Sequence, residues 1–189
     1  MINLRTTGAM LLALGIAGCS GLPRLAPTRA PAPASPSVPI PSVTLALPDT
    51  PSVELIEITV YFTDGGRYAV GTPPFEAAVT RAVPSTANLA HAVLDEFFRG
   101  PTPAERALGL ERIDSGFTGY SNLSVEEGIA HLYLVGPCAS NGATYTIAQP
   151  ILANLLPFPE IDYVKIYDEA GTTENPEGPD SSIPGCLEP

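Results

Sequence analysis

Asn88-Leu-Ala-His-Ala-Val-Leu-Asp-Glu-Phe-Phe-Arg-Gly-Pro-Thr-Pro-Ala-Glu105 is the stretch on which the reading of the fold turns. Leu89, Ala90, Val93, Leu94, Phe97 and Phe98 recur at the steps that put apolar side chains on one side of a helix. Ser85 or Thr86 can cap its start. Gly100-Pro101 ends it, because proline cannot continue a helix. Thr102, Pro103 and Glu105 then have the spacing of a capping box with proline at the first helical position, which opens a short second helix through Leu108. On the polar side His91, Asp95 and Arg99 follow at four-residue steps. A row of that kind is read as a solvated face with weak ion pairing, about 0.2–0.5 kcal/mol a pair, in preference to a catalytic or ligand-binding row.

Strand-like runs lie on both sides. In Ile56-Glu-Ile-Thr-Val-Tyr-Phe62 apolar residues alternate with Glu57, Thr59 and Tyr61, the period of a half-buried strand, and Asp64-Gly65-Gly66 is turn chemistry. Beyond the interruption at Pro73-Pro74, Ala78 to Val83 predicts a second extended segment stopped by Pro84. Ser121 to Val125 and Ile129 to Val135, joined by Glu126-Glu127-Gly128, have hairpin spacing. Ala130, Leu132 and Leu134 share one face of the second arm. His131 lies on the other, as a partly exposed sheet residue, since no second histidine or cysteine stands at metal-site spacing. Ile147, Ile151 and Leu155, with Leu152 and Leu156, predict another amphipathic helix, which Pro150 either starts or kinks. Tyr163 to Tyr167 is the last strand, closed by Asp168 to Gly171. An acidic tail rich in proline and glycine follows over 172–189.

The front of the chain differs in composition. Met1 to Arg5 carries one positive side chain, Thr6 to Gly18 is uncharged and mostly apolar, and Ile16-Ala17-Gly18-Cys19 follows the pattern of a bacterial lipobox. Residues 1–18 read as a lipoprotein signal peptide and Cys19 as the lipidated residue; the uncharged run is shorter than the roughly 20 residues of a spanning helix. Ser20 to Ser52 holds nine prolines, so 19–52 reads as an anchor and a semi-rigid spacer. At about 3.1 Å per residue it would hold a domain up to roughly 100 Å from a membrane. The whole chain has 189 residues, 44% apolar, a net charge of −11 and Lys165 as its sole lysine. With no basic stripe to neutralise a phosphate backbone, nucleic-acid binding is excluded.

From Val60-Tyr-Phe through Asn88 to Glu105, Ile129 to Val135, Ile147 to Pro159 and Tyr163-Val-Lys-Ile-Tyr-Asp168, the order and the residues resemble the GerMN domain family, named for a sporulation and germination lipoprotein. The resemblance covers about 55–171, within an expected domain of 53–171. It implies an α+β fold: a small sheet of about four strands with two helices packed on one face, similar to the ring-building motifs of secretion machines. It also implies an envelope lipoprotein that acts by interaction, with no catalytic residues to carry over. The stretch from Val70 to Ala78 is longer than the family's pattern.

A search for chemistry in the residues agrees. There is no Gly-x-Ser-x-Gly, Ser-x-x-Lys, His-Glu-x-x-His, phosphate loop or Cys-x-x-Cys. No catalytic, cofactor or metal residue is therefore assigned. Asp168, Glu169, Glu174, Glu177 and Asp180 are dense enough to suggest calcium, but their spacing departs from the Asp-x-Asp-x-Asp-Gly loop and reads as a solvated tail. The expected function is a non-enzymatic interaction or assembly module on the extracytoplasmic face of a bacterial membrane. It would be held there by lipid on Cys19, with an envelope protein or its own kind as partner. The alternative is a small envelope hydrolase or ligand-binding lipoprotein acting on wall or exported material. If lipidation consumes Cys19, Cys138 and Cys186 remain to form a disulfide, worth roughly 4 kcal/mol in the loop-entropy model.

Overall fold

A computed structural model describes residues 53–189. The expected signal peptide, Cys19 and the proline-rich spacer lie outside the described residues. β1 (Leu55–Asp64) buries Ile58, Val60 and Phe62 and leaves Glu57 and Thr59 exposed, as the alternation predicts. Asp64 accepts the N–H of Arg67 at 3.0 Å, so the expected turn is a one-turn helix, α1 (Gly65–Ala69). β2 (Glu76–Pro84) lies antiparallel along β1 from Thr63↔Glu76 to Leu55↔Pro84. It starts within the stretch from Val70 to Ala78.

α2 (Leu89–Arg99) begins later than the sequence suggests, and its cap is Asn88, whose side chain accepts the His91 N–H at 3.3 Å. Ser85 and Thr86 are instead taken into a turn closed by the Ala87 N–H on the Pro84 carbonyl, which leaves Asn88 as the first residue free to cap. α3 (Pro103–Ala107) has the expected capping box: Glu105 takes the Thr102 N–H at 2.8 Å and Thr102 takes the Glu105 N–H at 3.3 Å. β3 (Leu110–Glu111) pairs with Thr63 and Asp64 of β1. β4 (Gly119–Glu126) and β5 (Ile129–Val135) form the expected hairpin, and β6 (Tyr163–Tyr167) joins β5 in parallel. α4 (Ala148–Leu155) holds Pro150 in its first turn, where the missing N–H costs no bond, so the proline helps to start the helix.

The fold is α+β, and its six strands divide into two three-stranded sheets, β2-β1-β3 and β4-β5-β6, where one sheet of about four strands was expected. At Tyr61 a side chain takes a neighbouring strand's place on the β1 edge. Asn154 of α4, 2% exposed, accepts the Tyr61 N–H and donates to the Tyr61 carbonyl, both at 2.9 Å. An amide side chain thus occupies the edge of β1 at Tyr61. α2 and α4 pack on β1 and on each other, and α4 also reaches β6. Phe62 stacks on Phe97 with ring centroids 5.9 Å apart; each fully buried large apolar side chain contributes about 1.5–3 kcal/mol.

The segment 172–189 is not a solvated tail beyond the domain. Ser182 forms a parallel bridge with Lys165 of β6, accepting the Ile166 N–H and donating to the Val164 carbonyl, and Leu187 is buried in the core. Lys165, fully buried, holds it there with all three of its donors. These reach the carbonyls of Asn175 at 2.6 Å and Glu177 at 3.2 Å, and the Asp180 carboxylate at 2.7 Å. An acidic stretch folds back because the one lysine of the chain is buried in β6 and needs acceptors.

Candidate functional site

The residues singled out in the sequence are dispersed. Cys138 and Cys186 meet, with Cα atoms 6.0 Å apart, within disulfide range. β5 and β6 are parallel neighbours, so their C-terminal ends lie together and the returning segment passes Cys138. The row on α2 breaks up. Asp95 accepts from the Tyr120 hydroxyl at 2.8 Å, His91 Nδ1 lies 3.2 Å from the same hydroxyl, and Arg99 pairs with Glu96. Burial, with Asp95 beside it, raises the Tyr120 pKa, so this phenol keeps its proton at neutral pH. His131 Nδ1 lies 3.0 Å from the Tyr167 hydroxyl, and Tyr167 stacks on Tyr133 at 4.5 Å. Of the five acidic residues, Asp180 serves Lys165 and Asp168 binds the N–H and hydroxyl of Thr172. Among the described residues no group of three histidine, cysteine or carboxylate side chains is placed to hold a metal ion.

Several important side chains escaped the sequence reading. Arg81 of β2 binds Glu105 through two hydrogen bonds at 2.5 and 2.6 Å and lies 3.4 Å from Glu96, tying β2 to α3 and α2. Those bonds hold the Glu105 carboxyl down at about 2. The signal available was a lone arginine among the uncharged residues Ala77 to Pro84. For Asn154 it was a lone amide on the apolar side of a helix; for Lys165, a lysine between Val164 and Ile166.

The feature these elements leave open is the far side of β1. Antiparallel pairing sends alternate N–H and C=O groups to opposite sides of a strand. Tyr61 turns its pair away from β2 to Asn154, so Glu57 and Thr59 turn theirs the same way. β3 covers this side only at Thr63 and Asp64. At Glu57 and Thr59 no strand covers it among the described residues. A groove of ≈ 280 Å³ runs along this gap. Its floor is Ile58, and Leu89 and Val93 of α2 and Pro157-Phe158 after α4 form its walls. Leu89 is 39% exposed, and Leu55, two residues before Glu57, and Leu156, next to Pro157, are more so. A second, shallower and more polar hollow of ≈ 370 Å³ lies between Tyr68, Arg112, Asp114, Asn141 and Tyr145. The Tyr145 hydroxyl there is spent on Glu76 at 2.9 Å, and burial raises its pKa.

The described residues therefore define an α+β domain with a partly uncovered central strand beside an apolar groove. No family model matches the chain, and no curated protein sequence matches it. Among solved structures it is similar to the tandem GerMN domains of the sporulation protein GerM from Bacillus subtilis. The identity is 16% and the TM-score 0.44, over 75% of this chain and 50% of that one. The chain spans about half the length of that structure.

Proposed function

We propose that the protein is a lipid-anchored lipoprotein of the bacterial envelope, on the extracytoplasmic face, whose GerMN-like domain is a non-enzymatic interaction or assembly module. The observation that carries the reading is the apolar groove along β1, open to another polypeptide and lacking any convergent acid, base or nucleophile. The histidines support it, since both are engaged by tyrosine hydroxyls away from the groove. The anchor rests on Ile16-Ala17-Gly18-Cys19 and the spacer on the prolines of 19–52. The polar hollow near Arg112 is what favours the alternative, a ligand-binding or hydrolytic lipoprotein.

Cross-linking in intact membranes followed by purification separates the two. A stable protein partner is the expected result; a saturable small ligand with no protein partner overturns the module reading. Mass spectrometry of the native N-terminus should find acylated Cys19, and an unmodified residue elsewhere at the N-terminus sinks the anchor.

A further inference from the structure

We propose that the β1 groove receives an extended segment of another protein as an added strand, apolar on alternate residues and flanked by lysine or arginine; this rests on the interaction-module reading above. Three observations converge on it.

The first is the backbone. Glu57 and Thr59 present two N–H and two C=O groups along one uncovered side of β1, enough for up to four ladder bonds to a strand laid beside them. Tyr61 already makes the equivalent pair of bonds with Asn154, so this edge has the geometry to hold a peptide-like group. β3 and Asn154 close the upper part of the edge and set where an added strand must stop.

The second is the groove. Side chains alternate across a strand, so every second residue of the incoming segment would face Leu89, Val93 and Phe158. At ≈ 280 Å³ the space is small for a cofactor and suits a few aliphatic side chains. Burying Leu89, which is unusually exposed for a leucine on the core side of α2, supplies apolar area to the contact.

The third is charge, which selects the partner. Glu57 is the one charged residue that lines the groove, and no lysine or arginine lines it. Residues 53–189 together carry a net charge of −13. A second copy would bring the same sign to the same place and be repelled, whereas a basic segment is attracted. Proline is excluded from the partner's bonded positions because it lacks the donor.

The test uses the purified full chain and a nonapeptide of alternating valine and threonine with two lysines at each end, titrated by calorimetry at low salt. One-to-one binding is expected with Kd on the order of 10–100 µM. It should weaken at least tenfold when the backbone nitrogens of the five central residues are all methylated, when the lysines are replaced by glutamates, and in the Leu89→Lys variant. Thr59→Pro, which removes an edge donor that β2 does not use, should do the same. N-methylation leaves the protein untouched, so that arm stays decisive even if a variant folds poorly. Equal binding of the N-methylated peptide would reduce the contact to surface charge and overturn the proposal. So would the absence of saturable binding, or a dimer in sedimentation that Leu89→Lys disperses. If no peptide binds while membrane cross-linking still yields a protein partner, added-strand recognition is lost and the module reading stands.

Discussion

β6 and β1 each have an outer side that no regular strand fills, and the chain treats them oppositely. Along β6 the segment 172–189 returns, bridges at Ser182, locks onto Lys165 and brings Cys186 to Cys138. Along β1 the cover is partial: two residues of β3, then the single amide of Asn154, then the open groove. Uncovered strand edges invite unwanted pairing, and proteins usually blunt them with charge, covering segments or short length. Here the covering segment is spent on β6, while acidic side chains are left to guard β1. The difference teaches that an uncovered edge in this domain is a local property, since the same chain carries the means to close one and closes the other.

The comparison can be broken most forcefully at β6. Replacing both Cys138 and Cys186 by alanine removes a cross-link between residues 48 apart and should cost about 4 kcal/mol in urea unfolding, with 172–189 becoming the first site of proteolysis. Thiol titration of the denatured, unreduced chain should find neither cysteine free; two free thiols would sink the disulfide. At β1, Asn154→Ala should cost about 3 kcal/mol, because it leaves the partly buried N–H and C=O of Tyr61 without a partner. It would also lengthen the open edge, which hydrogen exchange at Tyr61 would register.

Lys165→Met, which keeps the stem and removes the charge, should cost about 2 kcal/mol. It should loosen 172–182 while leaving exchange in β1 unchanged. Protection across β1 falling as much as in β6 would mean that the two edges are not independent.

The smallest expected effect lies on the closed side of β1, where Arg81 fastens β2 to the helices. Glu105 has a folded pKa depressed to about 2 by its hydrogen bonds from Arg81. A depressed carboxyl contributes stability above its ordinary value, and that contribution is lost as pH falls toward 2. Asp180, depressed by its bond from Lys165, acts with the same sign. Stability should therefore decline below about pH 4.5. Glu105→Gln should cost about 1 kcal/mol at pH 7 and flatten that decline; an unchanged acid slope would remove Arg81–Glu105 from the account.

Local physics made much of this protein legible in its sequence. The alternation in Ile56 to Phe62 is a side-chain period, the Thr102/Glu105 box is a contact across three residues, and Gly100-Pro101 stops a helix through its own dihedrals. The same holds for the hairpin around Gly128 and for the helix before Pro157. Even the helix cap erred by only a few residues, between Ser85 or Thr86 and Asn88, because the competing turn at Pro84 is itself short-range.

What tertiary structure alone decided are the contacts between residues far apart in the chain. Asn154 reaches Tyr61 across 93 residues, and no period or spacing announces that one buried amide will stand in for a strand there, or that the strands will form two sheets. Arg81 chooses Glu105 and Glu96 from nineteen acidic side chains in the folded part, and Lys165 draws in a segment whose composition alone describes a solvated tail. In each case a polar group carried into the interior by its strand or helix must find partners there, because leaving it unpaired costs more than folding the distant segment back to meet it.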